Sequence, residues 1–224
     1  MIPPFQTTFA VPLSCEDCIK DVSTSLYTIA GINKVDADLK KQLISVEGTA
    51  APSAIVAAIQ ATGRDAILRG SGRSESAAVC ILETHSTSVK DHVRGLIRMV
   101  QVSSNMTIID LSIRGLSVNR RHLGSSEGEE GGNSCERGFG TVEVGKSGIG
   151  TVFLDKPIQI WEMIGRSIVV SRQQDGKFDK NDPDTLVGVI ARSAGVWDND
   201  KTVCSCSGKT VWEERKEQVD KGML

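Results

Sequence analysis

An α+β fold is predicted for this chain, from the way its hydrophobic pattern changes along its length. Residues 1–70 alternate strand and helix signals at short intervals, in the order βαββαβ. Residues 77–195 carry a run of short strands separated by glycine-rich spacers, and residues 196–224 continue neither pattern. A Gly/Ser/Arg/Glu stretch at 71–76 reads as a linker between the two units.

The elements of the first unit follow from residue spacing. Phe5 to Val11 (FQTTFAV) alternates apolar and polar residues with a β-branched bias, as a half-buried strand does. After a Pro-Leu-Ser-Cys loop, Ile19, Val22, Leu26 and Ile29 recur at three- and four-residue steps and mark one face of a helix. Gly31 is placed to end it. Ile32 to Leu39 and Leu43 to Val46 read as strands joined by a turn at Lys40 and Lys41. Pro52 and Ser53 open a second helix, with Ile55, Val56 and Ile59 inward and Gly63 closing it. Asp65 to Leu68 supplies a last strand. This order is that of a ferredoxin-like unit, with two helices covering one face of a sheet.

The second unit offers the strand segments AAVCIL, VRGLIRMVQV, MTIIDLSIRGL, TVFLD, IWEMIGRSIVVS and LVGVIARSAG. The longest glycine-rich spacer runs from Gly124 to Gly150. Short strands with long polar loops read as an antiparallel barrel or sandwich. Only 4% aromatic residues and 22 glycines suit a turn-rich β protein with small core side chains. In the tail, Thr210 to Val219 is charged and has helical potential.

Charge excludes some partners. Lys+Arg at 26 against Asp+Glu at 28 leaves a net charge of −2, so no basic surplus favours nucleic acid or an anionic membrane. No stretch approaches the ~18–20 apolar residues of a membrane span. The N-terminus lacks the basic and apolar regions of a secretory signal, so a cytosolic protein is expected.

Cysteine spacing carries the chemistry. Of Cys15, Cys18, Cys80, Cys135, Cys204 and Cys206, four fall into close pairs, Cys-x-x-Cys near the start and Cys-x-Cys near the end. Close pairs without a secretion signal point to metal binding or thiol exchange rather than a disulfide framework. Cys15 and Cys18 follow a strand and open a helix, where backbone N–H groups and the helix dipole lower a thiol's pKa. Two soft thiolates hold copper(I) at low coordination number, whereas a closed zinc site needs four ligands. A thioredoxin-like redox pair sits in a different strand–helix context, and a purely structural pair is the remaining alternative. Arg64, just after Gly63, could offset the negative charge of a two-thiolate copper(I) centre.

Cys204 and Cys206, one residue apart, suit copper capture or attack on another disulfide, and any bond between them would be strained and exchangeable. Two unrelated cysteines in a tail are the alternative. Cys80 alternates with Val79 and Ile81 in a strand and reads as a buried, inert thiol. Cys135 lies in a Gly-rich loop with no assigned role. His85, His92 and His122 are scattered, and a histidine-based redox copper site needs several converging imidazoles.

Together these features resemble the copper chaperones for copper,zinc superoxide dismutase, the fungal ones in particular, over nearly the whole chain. Residues 1–70 resemble a heavy-metal-associated copper-binding domain with Cys15 and Cys18 in its copper loop; Leu13 stands where that family usually has Met. Residues 77–195 resemble a dismutase barrel in AAVCILE, IGRSIVVS and GVIARSAG. The dismutase metal histidines are missing, and RRHLGSSEG (Arg120 to Gly128) stands where a His-x-His run would lie. Val187 replaces one cysteine of the dismutase disulfide, leaving Cys135 without that partner. The tail GVWDNDKTVCSCSGKTVWEERK is the most specific match, since this family carries Cys-x-Cys there.

The resemblance implies a copper(I) metallochaperone rather than an enzyme. Its barrel would dock on apo copper,zinc superoxide dismutase as a heterodimer, through Ile164, Gly165, Arg166, Val189, Ile190 and Arg192. Core packing is the competing role for Ile164, Val189 and Ile190. Residues 196–224 would deliver copper, with Cys204 and Cys206 binding the metal and exchanging thiols with the target. A homodimer and a mitochondrial intermembrane-space pool are both compatible with the sequence. Two rival functions are an active dismutase with a chaperone extension and a copper carrier to a copper-transporting ATPase.

Overall fold

The computed structural model describes residues 2–126, 137–173, 178–179, 181–196, 209–210, 212–213 and 216–217. The first unit is β1 (Phe5–Ala10), α1 (Glu16–Tyr27), β2 (Ile32–Asp38), β3 (Leu43–Gly48), α2 (Pro52–Ala61) and β4 (Ile67–Ser71). Its antiparallel sheet has the order β2-β3-β1-β4, the arrangement expected of a ferredoxin-like unit. Phe9, Val22, Leu26, Ile44, Ile55 and Ile59 form its core and are at most 2% exposed. α1 and α2 are joined by the Ser25 hydroxyl, which donates to the Ala58 carbonyl at 3.0 Å. After α1 the chain turns at Gly31 with φ +89°, a conformation strained for any residue with a Cβ.

The second unit is a nearly closed antiparallel barrel. Its strands are β5 (Ala77–Glu83), β6 (Val93–Ser103), β7 (Met106–Ile113), β8 (Asn119–Ser126), β9 (Arg137–Val144), β10 (Gly150–Lys156), β11 (Ser167–Ser171), β12 (Leu186–Val189) and β13 (Ala191–Ser193). They follow the order β10-β7-β6-β5-β12-β11-β8-β9, with β13 also on β5, and the terminal strands β9 and β10 meet. Leu82, Ile97, Ile109, Leu111, Ile168, Val170 and Leu186 fill the interior. Among the described residues no helix is long and apolar enough to cross a membrane.

The structure differs from the sequence pattern in several places: β8 occupies a segment read without a strand, and LVGVIARSAG divides into β12 and β13 on either side of Ile190. The Gly124–Gly150 stretch is not a spacer throughout, because β9 runs through Arg137–Val144 and pairs with β8. Gly138 and Gly140 interrupt the alternation that would have announced it, and the ladder has an irregularity at Leu123/Gly124. The segment IWEMIGRSIVVS is also not one strand. Ile160–Met163 is a helical turn, α3, and Gly165 at φ +82° bends the chain into β11.

The two units are joined by hydrogen bonds and packing as well as by the covalent linker. Residues 71–76 carry hydrogen bonds: Gly72 N–H donates to the Gln6 carbonyl at 2.8 Å, Ser71 N–H to Ala194 at 3.3 Å, and Val196 N–H to Gly72 at 3.1 Å. Ile2 and Phe5 pack against Val100, Val102, Ile108 and Phe153 on the barrel's outer face. Asp110 of β7, 2% exposed, accepts from the Ser53 N–H at 2.8 Å and the Ser53 hydroxyl at 2.6 Å. Arg98, opposite it on β6, lies 3.6 Å away. Burial pushes the Asp110 carboxyl's pKa up, against the Ser53 bonds and the Arg98 charge.

Gly70 marks how closely the units approach. A Cβ there would lie 2.2 Å from the Gly195 carbonyl oxygen, a backbone atom with little room to move. Gly70→Ala is therefore expected to destabilise the chain by about 1–3 kcal/mol, the usual cost of overpacking. It should also speed proteolysis within residues 71–76. An unchanged melting temperature and cleavage rate would show that the junction yields freely.

Candidate metal centre

Cys15 and Cys18 meet because of what precedes and follows them. β1 delivers the chain to a loop anchored by Val11 and Leu13, both buried. The Val11 N–H donates to the Gln42 carbonyl at 2.9 Å, which ties the loop to the start of β3. Cys15 is the N-cap of α1, in extended conformation with φ −157° and ψ 171°. Cys18 falls within the first turn, and its sulfur lies 3.3 Å from that of Cys15. Cys15 is exposed and Cys18 is buried, so the pair has one open and one supported side. Leu13, 3% exposed, packs in the same core cluster as Cys18 and fills the apolar position beneath the loop.

The electrostatics favour a thiolate at Cys18, whose pKa is lowered to about 6. The largest cause is the Ser14 hydroxyl, 3.2 Å away, which donates to the sulfur. Next comes the Arg64 guanidinium, followed by the Ser14 backbone N–H and Cys15, with burial opposing them all. Arg64 is held in place by the Thr62 carbonyl at 3.1 Å and by Asp21 at 3.3 Å, and its own pKa is raised, chiefly by Cys18. A thiol ionised at neutral pH gives up no proton when a soft cation arrives, so metal competes with fewer protons. Two sulfurs at this spacing form a ligand pair for a thiophilic cation such as copper(I).

The sign of the pH dependence follows from the lowered value. A thiol whose folded pKa lies below its ordinary 9.0 adds stability that is fully present above pH 9 and is lost as pH falls through about 6.

The other candidates are placed as follows. Cys80 is 1% exposed and burial pushes its thiol up to about 12, so it is an inert packing group. Cys135, Cys204 and Cys206 lie outside the described residues. His85 and His92 are exposed, with His92 Nδ1 3.0 Å from the Thr84 carbonyl. Among the described residues no three His, Cys, Asp or Glu side chains converge to hold a metal.

On β8, Arg121 is fully buried in the barrel and donates to Asp184 Oδ2 at 3.1 Å and to the Ser117 carbonyl at 2.8 Å. Asp184 also pairs with Arg172 and with the Ser117 hydroxyl. Burial pushes the Asp184 carboxyl up, but these donors and charges bring it below its ordinary value.

The candidate contact residues divide. Val189 is 58% exposed, Gly165 and Arg192 are exposed, and Ile164 and Arg166 are half-buried. Ile190 is a correction: at 1% exposed it belongs to the barrel core, because side chains alternate along the segment and its neighbour Val189 takes the outward position. Trp161, on α3 and 64% exposed, was missed, as was Ile81 at 53%. Trp161 lies one helical turn before Ile164. Ile81 lies beside Gly188, where a Cβ would come 2.1 Å from the Ile81 carbonyl oxygen. The segment IWEMIG read as a strand hides Trp161's exposure, and only its helical turn reveals it.

Replacing Arg64 with Gln should move the inflection of Cys18 alkylation rate against pH upward from about 6, in reduced, metal-free protein. Ser14→Ala should move it further, because the hydroxyl contribution is the larger. An inflection that stays in place in both variants would remove these two groups as the cause.

The heavy-metal-associated domain family matches residues 8–65. The superoxide dismutase 1 copper chaperone of Debaryomyces hansenii is 42% identical, covering 100% of this chain and 99% of its own length. That of Saccharomyces cerevisiae is 38% identical over 96% of each chain. The copper chaperone for superoxide dismutase of Mus musculus is 33% identical over 92% of this chain and 88% of its own. Among solved structures, the copper(I)-loaded first domain of the human copper chaperone for SOD1 is 33% identical, covers 31% of this chain and 97% of that chain, and has a TM-score of 0.30. With identities of this size running from end to end, the chain belongs to the family of superoxide dismutase copper chaperones.

Proposed function

We propose that this metallochaperone holds copper(I) between the Cys15 and Cys18 thiolates, docks through its barrel on apo copper,zinc superoxide dismutase as a heterodimer, and completes delivery with Cys204 and Cys206. The observation that carries the first step is the sulfur pair 3.3 Å apart with Cys18 stabilised as a thiolate. Copper is cargo here, so the site must release it as well as bind it. The exposed Cys15 leaves one side of the pair open to an incoming thiolate, which allows exchange of one ligand at a time.

Geometry supports a separate delivery arm. Phe5, at the start of β1, packs on the barrel, whereas Cys15 follows the strand's other end. A six-residue strand spans ~20 Å, so the copper loop lies about that far from the place where Phe5 meets the barrel. The tail departs from Val196, which is bound to Gly72 at the junction between the units. Cys204 follows Val196 by eight positions in sequence, a reach of up to ~28 Å when extended. That reach is at least as long as β1, which suits the tail cysteines to a carrying role between the two units.

Thiol exchange completes the scheme in balanced steps. Once the pair has passed on its copper, molecular oxygen oxidises the Cys204–Cys206 dithiol to a disulfide and is itself reduced to hydrogen peroxide. A target thiolate then attacks that disulfide, forming a mixed disulfide. The target's second thiolate then displaces the tail sulfur. The tail pair gains the two electrons and two protons that the target dithiol loses.

Docking is assigned to the exposed apolar face around Val189, Ile164 and Gly165, widened by Trp161 and Ile81, with Arg166 and Arg192 at hand for polar contacts. Exposed aromatic and aliphatic groups on one face mark interaction surfaces. Val189→Glu should weaken binding to apo-dismutase by about tenfold or more, since it sets a charge in an apolar contact, while copper uptake stays unchanged. Undiminished binding by calorimetry would move docking elsewhere. Cys204→Ser with Cys206→Ser should leave docking intact and abolish activation of the target. Copper-loaded protein mixed with apo-dismutase, with and without oxygen, reads metal transfer and target disulfide separately, and full activation by the double variant would remove the tail from the scheme.

A further inference from the structure

α2 begins without a cap of its own. Its N-cap is Ala51, which has no side-chain hydrogen bond to give, and Pro52 follows at the first helical position. The N–H of Ser53 is therefore one of the donors that a helix start leaves without an intrahelical partner. The acceptor comes from the other unit, 57 residues away: Asp110 of β7 takes both the Ser53 N–H and its hydroxyl. A carboxylate in that place also complements the positive end of the helix dipole.

At the other end of α2, the chain turns at Gly63 into Arg64, whose guanidinium reaches Asp21 of α1 and contacts Cys18. Midway, Ala58 receives the Ser25 hydroxyl of α1. The ten-residue helix, ~15 Å long at 1.5 Å per residue, thus touches the barrel at one end and the copper loop at the other.

We infer that Asp110 is a positioning residue for the copper loop, acting through α2: by fixing the first turn of that helix on the barrel, it sets where Arg64 and α1 hold the Cys15–Cys18 pair. This rests on the reading of Cys15 and Cys18 as the copper ligands. Asp110 touches neither sulfur nor metal, and its effect travels along packed, hydrogen-bonded groups that a double-mutant cycle can detect. Arg98, on the neighbouring strand, lies 3.6 Å from the carboxylate and favours its charged form against the opposing effect of burial. The barrel then has a part in copper holding as well as in docking.

The test uses the full chain carrying Cys204→Ser and Cys206→Ser, so that only the first pair is read. Copper(I) is withdrawn by a chromogenic chelator, and the rate and extent of loss are measured. Asp110→Ala is expected to raise the extent by about fivefold, the effect of a typical lost helix cap. Asp110→Asn, which retains one acceptor, should restore part of the difference. Arg64→Gln should also raise it, and the Asp110→Ala/Arg64→Gln pair should be little worse than Arg64→Gln alone. Multiplying effects, or no change in Asp110→Ala, would overturn the inference. Should Asp110→Ala fail to fold, Ser53→Ala removes one of the two bonds from the exposed side and should give a smaller loss in the same direction; no loss overturns the inference equally. Cys15→Ser with Cys18→Ser in the same background separates the two questions. Full copper uptake by that variant would overturn the copper reading and this inference with it, whereas copper lost with these cysteines but indifferent to Asp110 and Ser53 overturns the inference alone.

Discussion

Two sulfurs 3.3 Å apart cannot both carry a negative charge unless something opposes the repulsion, and much of the first unit is arranged around that constraint. The start of α1 supplies the positive end of a helix dipole. The Ser14 hydroxyl and the Arg64 guanidinium are aimed at Cys18. Only one of the two thiols is so supported, and the other faces solvent. That asymmetry leaves one sulfur held by its neighbours and the other open to an incoming group.

Holding that arrangement is a packing problem. Leu13 fills the space under the loop, Val22 and Leu26 seat α1 on the sheet, and Ile55 and Ile59 seat α2 beside it. Neither helix has a side-chain cap within its own N-cap residue. In α1 the N-cap position is occupied by Cys15, which makes no side-chain capping bond and keeps its sulfur beside that of Cys18. In α2 the missing cap is replaced by a carboxylate on the barrel, which couples the two units at a point the linker does not touch.

The barrel stands without a converging set of histidines. Its loop ends near Ser117 and Asp184 are drawn together by Arg121 and Arg172, so a buried ion pair joins segments far apart in sequence. Breaking such a pair leaves a buried charge without compensation, typically at ~3–5 kcal/mol. Its outer surface is divided: Val100, Ile108 and Phe153 face the first unit, while Val189, Trp161 and Ile81 remain exposed.

The βαββαβ unit was legible in the sequence nearly element by element, because its periodicities are clean and its glycines fall at the ends of helices. The closeness of Cys15 and Cys18 and the lowered pKa of Cys18 were legible too, since a cysteine at the mouth of a helix has predictable acidity whatever it packs against. Arg64 could be named from its place after Gly63, but Ser14 could not, because a serine in a loop has no spacing signal. In the barrel, glycines at 138 and 140 masked β9, and the turn at Gly165 split a run that read as one strand. Alternation could not say whether Val189 or Ile190 faced outward, since both are apolar and a one-residue change of register exchanges the faces. Local order and the thiol pair at the start of α1, then, were written in the sequence. The capping of α2 by Asp110, the burial of Ile190 and the exposure of Trp161 were decided only by tertiary structure, because each depends on which distant segment comes to lie alongside.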